Sequence, residues 1–234
     1  MTATGGRPAV DHVAPCPQAV LFDLDGTLID TESLWMDTEA EVAEALGGRW
    51  TQADRAANVG GSARAAAEYI VRATGTGTAV PEVMRMLAAA MRRRLASGAA
   101  PRPGAKELLA EVRRAGLPTA LVTSTHRPLL EVSIGAVGAE HFDVTVAGDE
   151  VARNKPHPEP YLTAARLLGV DPARCVALED SPAGVASAQA AGCVTVAVPH
   201  LLPIEPAERR VVVHSLVGLD AAWLRATAAA LSRV

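Results

Sequence analysis

The chain has 234 residues, 49% of them hydrophobic and 21% charged, with a formal net charge of −4. That balance belongs to a globular protein with one sizeable core, or a core and a small accessory unit, and excludes a disordered chain. It gives no electrostatic case for nucleic acid or an anionic membrane as partner, and no apolar run approaches the roughly 20 residues that span a bilayer.

Residues 1–17 are rich in Ala, Gly and Pro and lack the basic start and apolar centre of a signal peptide. They are expected to form a flexible tail on a cytoplasmic protein. Cys16, Cys175 and Cys193 are odd in number and show no metal-ligand spacing, so they read as small apolar residues of a reducing compartment.

The first element is an apolar strand, Ala19–Asp25, ending in Asp23-Leu24-Asp25-Gly26-Thr27. Residues two apart on a strand point the same way, and a buried carboxylate without a partner is costly. Two of them at a strand end therefore suggest a site, one acid acting as nucleophile and its neighbour as proton donor. From residue 32 to residue 97 there is no convincing strand. Glu32–Leu46, a helix capped by Ser62, and Pro81–Leu95 carry apolar stripes at helical spacing. This stretch reads as an all-helical insertion, joined to the rest just after Asp30 and near Gly98–Pro103.

Beyond it, strands are expected at Thr119–Thr123, Val144–Ala147, Cys175–Glu179 and Val194–Val198, with a possible sixth at Val211–Val213. Helices at Pro103–Ala115, Leu129–Val137, Pro158–Leu168 and Pro182–Ala191 alternate with them, each stopping at a glycine. Alternation of this kind implies right-handed βαβ units and a parallel sheet covered on both faces.

Chemistry gathers at the expected C-terminal ends of these strands, where open α/β sheets place ligands. Asp23 and Asp25 are joined there by Thr123-Ser124-Thr125, Asn154-Lys155-Pro156 and Glu179-Asp180-Ser181. Only Lys106 and Lys155 are lysines among 22 basic residues, so Lys155 stands out. Two like charges about 4 Å apart cost about 4 kcal/mol at an effective dielectric near 20. Converging acids therefore call for a divalent, oxygen-loving cation, and Mg2+ shared with a substrate phosphate is the usual one. Lys155 and the Thr123 hydroxyl could hold the remaining phosphoryl oxygens, giving a site for phosphoryl transfer.

The order DLDGTL, TST, KPHPEPYL and LEDSPAG, over residues 19 to about 200, resembles the haloacid dehalogenase superfamily. Within it the chain is similar to the phosphatase and β-phosphoglucomutase-like branch. The resemblance implies a Rossmann-like three-layer α/β/α core with a parallel sheet at 18–31 and 98–234, and a helical cap domain at 32–97. It implies that Asp23 attacks phosphorus and that Asp25 protonates the leaving oxygen and then helps deprotonate water. Thr123, the Ser124 backbone N–H and Lys155 would hold the phosphoryl group. Mg2+ would be held by Asp23, the Asp25 carbonyl and Asp180, with Glu179 a direct or water-mediated ligand.

β-Phosphoglucomutases of this branch carry a His where Trp35 stands, and a cap lysine; residues 32–97 contain no lysine. The expectation is therefore a Mg2+-dependent phosphatase acting on a small phosphorylated metabolite, such as a sugar or polyol phosphate. A sugar phosphomutase and a non-catalytic phosphate-binding protein are the alternatives. Trp35, Gly61, Arg64 and His126 are candidate substrate contacts, and a monomer is the default assembly.

Overall fold

A computed structural model of the protein describes residues 17–58 and 62–231. In chain order the strands are β1 (Ala19–Phe22), β2 (Ile29–Asp30), β3 (Ala100–Pro101), β4 (Thr119–Val122), β5 (Val144–Val146), β6 (Cys175–Glu179), β7 (Val194–Ala197) and β8 (Arg210–Val212). The helices are α1 (Glu32–Ala45), α2 (Gln52–Asn58), α3 (Ala63–Thr74), α4 (Val80–Ala96), α5 (Ala105–Arg114), α6 (Arg127–Ser133), α7 (Glu159–Leu168), α8 (Pro182–Ala190) and α9 (Ala221–Leu231).

Six strands pair in parallel in the order β5-β4-β1-β6-β7-β8. The chain leaves β1 to build one flank, then crosses over to build the other. The boundary between β4 and β6, with β1 in the middle, is the switch point where parallel sheets open a crevice at their C-terminal ends. Asp23 stands at that end of β1.

Alternation along the strands decides what each face buries. Val20, Phe22, Leu121, Val176 and Leu178 pack with Leu108, Leu109 and Val112 of α5 and Leu224 of α9. Ala19, Leu21, Val122 and Ala177 face the other way, against Tyr161 and Ala164 of α7 and Ala188 of α8. Both faces are thus covered, which explains the continuous apolar runs. The register pairs Leu21 with Ala177 and Phe22 with Leu178, and the Asp23 N–H donates to the Leu178 carbonyl at 3.0 Å. Parity therefore turns Asp23 and Glu179 toward the α7 face as neighbours.

The helices α1 to α4 bury a core of their own, with Val42, Ala67, Ile70, Val83 and Leu87 at its centre. Ser62 caps α3 as expected, accepting from the Ala65 N–H at 3.2 Å. The two crossings into this helical stretch pair as the antiparallel strands β2 and β3, and the Arg102 N–H adds a bond to the Leu28 carbonyl at 2.8 Å.

Several boundaries differ from the sequence expectation. The first strand ends at Phe22 and not at Asp25, because Gly26 takes a φ of 85° and the Leu24 carbonyl accepts from both Leu28 and Ile29. The helix expected at Leu129–Val137 begins at Arg127 and tightens into a 3-10 turn over Ile134–Ala136, around the weak helix former Gly135. The sixth strand is present at the sheet edge, shifted by one residue. β2, β3, α2 and α9 were not expected.

Phe22 is fully buried, its ring edge-on to Phe142 at 6.3 Å, whereas Leu167 is 52% exposed. Phe22→Ala should lower the unfolding free energy by about 3–5 kcal/mol and Leu167→Ala by no more than about 0.5 kcal/mol. Urea denaturation measures both; similar costs would contradict the assignment of the core.

Candidate active site

Four chain segments meet at the switch point. Asp23 comes from the end of β1, and Thr123-Ser124-Thr125 follows β4. Lys155 precedes α7, and Glu179-Asp180 closes β6. The Lys155 ammonium has three protons to donate, and three acceptors take them. They are Asp23 Oδ1 and Glu179 Oε1, both at 2.6 Å, and the Val122 carbonyl at 2.9 Å. The Lys155 side chain is only 5% exposed. Burial works against its charge, but the carboxylates of Asp23 and Glu179 hold its pKa well above the ordinary lysine value.

Glu179 is itself wholly buried. Its Oε1 also accepts from the Tyr161 hydroxyl at 2.6 Å, and the Lys155 nitrogen lies 5.3 Å from the centre of the Tyr161 ring. Burial pushes the Glu179 carboxyl up, against the opposing pull of Lys155. A side chain on Gly184 would place its Cβ 1.9 Å from Glu179 Oε2, so the backbone there can approach only as glycine. Tyr161 was not foreseen; within a helical apolar stripe it reads as core.

Asp25 turns to the other side of the site. Its Oδ2 accepts from the hydroxyls of Thr123 at 2.9 Å and Thr125 at 2.8 Å. The Thr125 N–H in turn donates to Thr123 Oγ1 at 3.0 Å. Burial, followed by the charge of Asp23, raises the Asp25 pKa, while the hydroxyls of Thr125, Thr123 and Thr31 work in the opposite direction. The Thr123 hydroxyl, expected on the phosphoryl group, is thus engaged by Asp25. The next helix is capped at His126, which leaves the Thr125 hydroxyl to the site. Ser124 bonds through its hydroxyl to Asn154 Oδ1 at 3.0 Å, and the same oxygen accepts the Lys155 N–H at 2.8 Å.

The carboxylates of Asp23, Glu179 and Asp180 converge, with one oxygen from each lying within 4.8 Å of the others. Asp23 Oδ2 is buried with no hydrogen-bond partner. Asp180 is 7% exposed, and burial together with the charges of Asp23 and Glu179 pushes its carboxyl well above the ordinary range. Its oxygen comes so near the backbone of Gly26 that a Cβ there would stand 2.0 Å away. An all-oxygen donor set with an orphaned carboxylate oxygen and one buried ammonium fits a hard divalent cation, Mg2+ above softer metals. The Asp25 carboxylate stands outside this cluster.

A cavity of about 950 Å3 lies between the Asp25 and Lys155 side of the site and the helical stretch. Trp35, Arg64 and His126 line it, as do Asp25, Ser124 and Lys155. Arg64 stands at its rim, its side chain 71% exposed and paired with Glu68. Gly61 lies outside the described residues. Glu32 and Glu39 of α1 also line the cavity, and neither was singled out from sequence.

Residues 17–192 match the model of the haloacid dehalogenase-like hydrolase family. The chain is 36% identical over 195 residues to protein CbbY of Rhodobacter capsulatus, covering 78% of this chain and 85% of that one. It is 34% identical to hexitol phosphatase A of Escherichia coli (strain K12), covering 76% and 81% of the two chains. A mutant of CbbY from Rhodobacter sphaeroides, crystallised with xylulose-(1,5)bisphosphate, superposes with a TM-score of 0.76 at 33% identity, over 88% of this chain and 98% of that one. No helix among the described residues is long and apolar enough to cross a membrane. The matched motifs and the shared fold agree: this chain belongs to the haloacid dehalogenase-like hydrolases, in their phosphatase and β-phosphoglucomutase-like branch.

Proposed function

We propose that the protein is a Mg2+-dependent phosphatase that hydrolyses a small phosphomonoester, a sugar or polyol phosphate, through an aspartyl phosphate on Asp23. The observation that carries this reading is the state of Asp23. One carboxylate oxygen is neutralised by Lys155, which lines the cavity, and the other is buried without a partner. A carboxylate stripped of water and held by a fixed ammonium is oriented for attack.

In this mechanism an Asp23 oxygen forms a bond to phosphorus as the bond to the leaving oxygen breaks. Asp25 gives its proton to that oxygen, and the burial that raises its pKa keeps the proton available. The threonine pair on Asp25 Oδ2 fixes which oxygen carries it. Asp25 then takes a proton from the water that attacks phosphorus, releasing phosphate and restoring the Asp23 carboxylate. Lys155 balances charge on Asp23 throughout, and Tyr161 and Glu179 hold Lys155 in place. Asp23 and Asp180 would hold the Mg2+, with the Asp25 carbonyl, and Glu179 would complete the charge of the site. The cation supplies charge neutralisation, so that a phosphate dianion can approach several carboxylates. Residues 32–97 act as a cap that excludes water and reads the leaving group. Trp35 and a lysine-free cap favour hydrolysis over mutase chemistry.

Asp23→Asn and Asp25→Asn should each lower hydrolysis of p-nitrophenyl phosphate by at least about 10^3-fold with folding intact. Interconversion of hexose 1- and 6-phosphates with little phosphate released would favour the mutase instead. Chelation with EDTA should abolish hydrolysis, and added Mg2+ should restore it. Mg2+ at about 100 times its Kd should also stabilise the protein by about 2.7 kcal/mol, read as a rise in melting temperature. Undiminished turnover in EDTA would contradict the metal assignment.

A further inference from the structure

Glu39 lies in the wall of the cavity and is 6% exposed. Among the described residues neither a hydrogen-bond donor nor an ion-pair partner reaches it. Arg55, whose charge acts on it, instead bonds Asp37 at 3.5 Å. A carboxylate so buried ordinarily has a partner, because an unmade hydrogen bond costs stability. A group that finds none within the protein and faces a cavity is placed for a ligand.

Its neighbours indicate which ligand. Glu32, Trp35, Met36 and Glu39 stand at i, i+3, i+4 and i+7 on α1, a single helix face, and all four line the cavity. That face offers acceptor-only carboxylates around an indole. Carboxylates accept from hydroxyls, and an aromatic surface takes the apolar C–H side of the same molecule. The lining carries charges of both signs, Glu32, Glu39 and Asp149 beside Arg55, Arg64, Arg85 and Arg92, so hydroxyl acceptance and not net charge distinguishes this face. Arg64 and Arg85, which also line the cavity, have side chains 71% and 75% exposed and are paired with Glu68 and Glu82 of their own helices.

We infer that Glu39 is a specificity residue that accepts hydrogen bonds from hydroxyl groups of the leaving portion. The cavity then selects phosphates of polyhydroxylated compounds over phosphate esters that bring no hydroxyl to this face. This inference rests on the phosphatase reading and adds a specificity residue to it.

The test compares wild type, Glu39→Gln and Glu39→Leu with Mg2+ present. The substrates are sorbitol 6-phosphate, phosphoglycolate, phosphoethanolamine and p-nitrophenyl phosphate. Wild type should prefer sorbitol 6-phosphate. In Glu39→Leu the ratio of kcat/KM for sorbitol 6-phosphate to that for p-nitrophenyl phosphate should fall about 10- to 100-fold, with a smaller fall in Glu39→Gln. The melting temperature of Glu39→Leu should rise, because a buried carboxylate without a partner is removed. An unmoved ratio overturns the inference. So does a fall in melting temperature with all substrates losing equally, which marks a structural residue. A wild-type preference for phosphoglycolate or phosphoethanolamine also overturns it. In each of these cases the phosphatase reading survives. Failure to hydrolyse any of the four esters overturns that reading and this inference with it.

Discussion

The buried ammonium of Lys155 is the interaction on which the rest of the site depends. It ties the end of β1 to the end of β6 through Asp23 and Glu179, and it takes the Val122 carbonyl at the end of β4. Three strands that meet at the switch point are thus pinned at one atom. Removing charged groups from water is expensive, and a buried ion pair is a poor source of net stability. Losing Lys155 would nonetheless leave two buried carboxylates facing each other, a change that costs about 3–5 kcal/mol in comparable cases. A network so costly to assemble and to break is better explained by chemistry than by stability. Tyr161 belongs to the same account, since it donates to the Glu179 oxygen that Lys155 grips.

Charge imbalance links this network to the cavity beside it. Asp23, Asp25, Glu179 and Asp180 confront one lysine, and burial first, then the charge of Asp23, raises the pKa of Asp25, Glu179 and Asp180. The two carboxylates of the DxD motif relieve the imbalance differently. Asp23 faces the ammonium and the acidic cluster, while Asp25 is held by hydroxyls from the β4 side. One acid is thereby suited to attack and the other to proton transfer. In the proposed function, recognition would be built from different material. The face of α1 that carries Glu32, Trp35 and Glu39 belongs to the helical stretch, which has its own core and joins the sheet unit through the β2–β3 pair. On that proposal, chemistry at the sheet end and selection on the helices could vary independently.

The residues that stood out in the sequence did so for physical reasons. Asp23, Asp25 and Glu179-Asp180 were legible because acids at the ends of apolar strands have no structural purpose. Lys155 was legible because lysine is otherwise nearly absent from the chain. The doubly covered sheet was legible in its unbroken apolar runs. What escaped depends on contacts that no local pattern carries. Thr125 meets Asp25 across 100 positions, and Tyr161 looks like any aromatic residue of an apolar helical stripe. Glu39 resembles a solvated helix acid until the fold buries it. β2 and β3 are two residues each, too short for any periodicity, and their pairing is set by the geometry of the two crossings. α2 and α9, short or Ala-rich, lacked the stripes that identified the longer helices.

The central claim is that phosphate passes through a covalent bond to Asp23. Trapping with borohydride tests it most directly, because hydride reduces an acyl phosphate but leaves a free carboxylate untouched. The protein would be quenched during turnover of a phosphomonoester, reduced, digested and sequenced by mass spectrometry. The account predicts homoserine at position 23, appearing only with substrate and Mg2+ present. Turnover with position 23 unmodified at every quench time, or reduction at a different carboxylate, would contradict it.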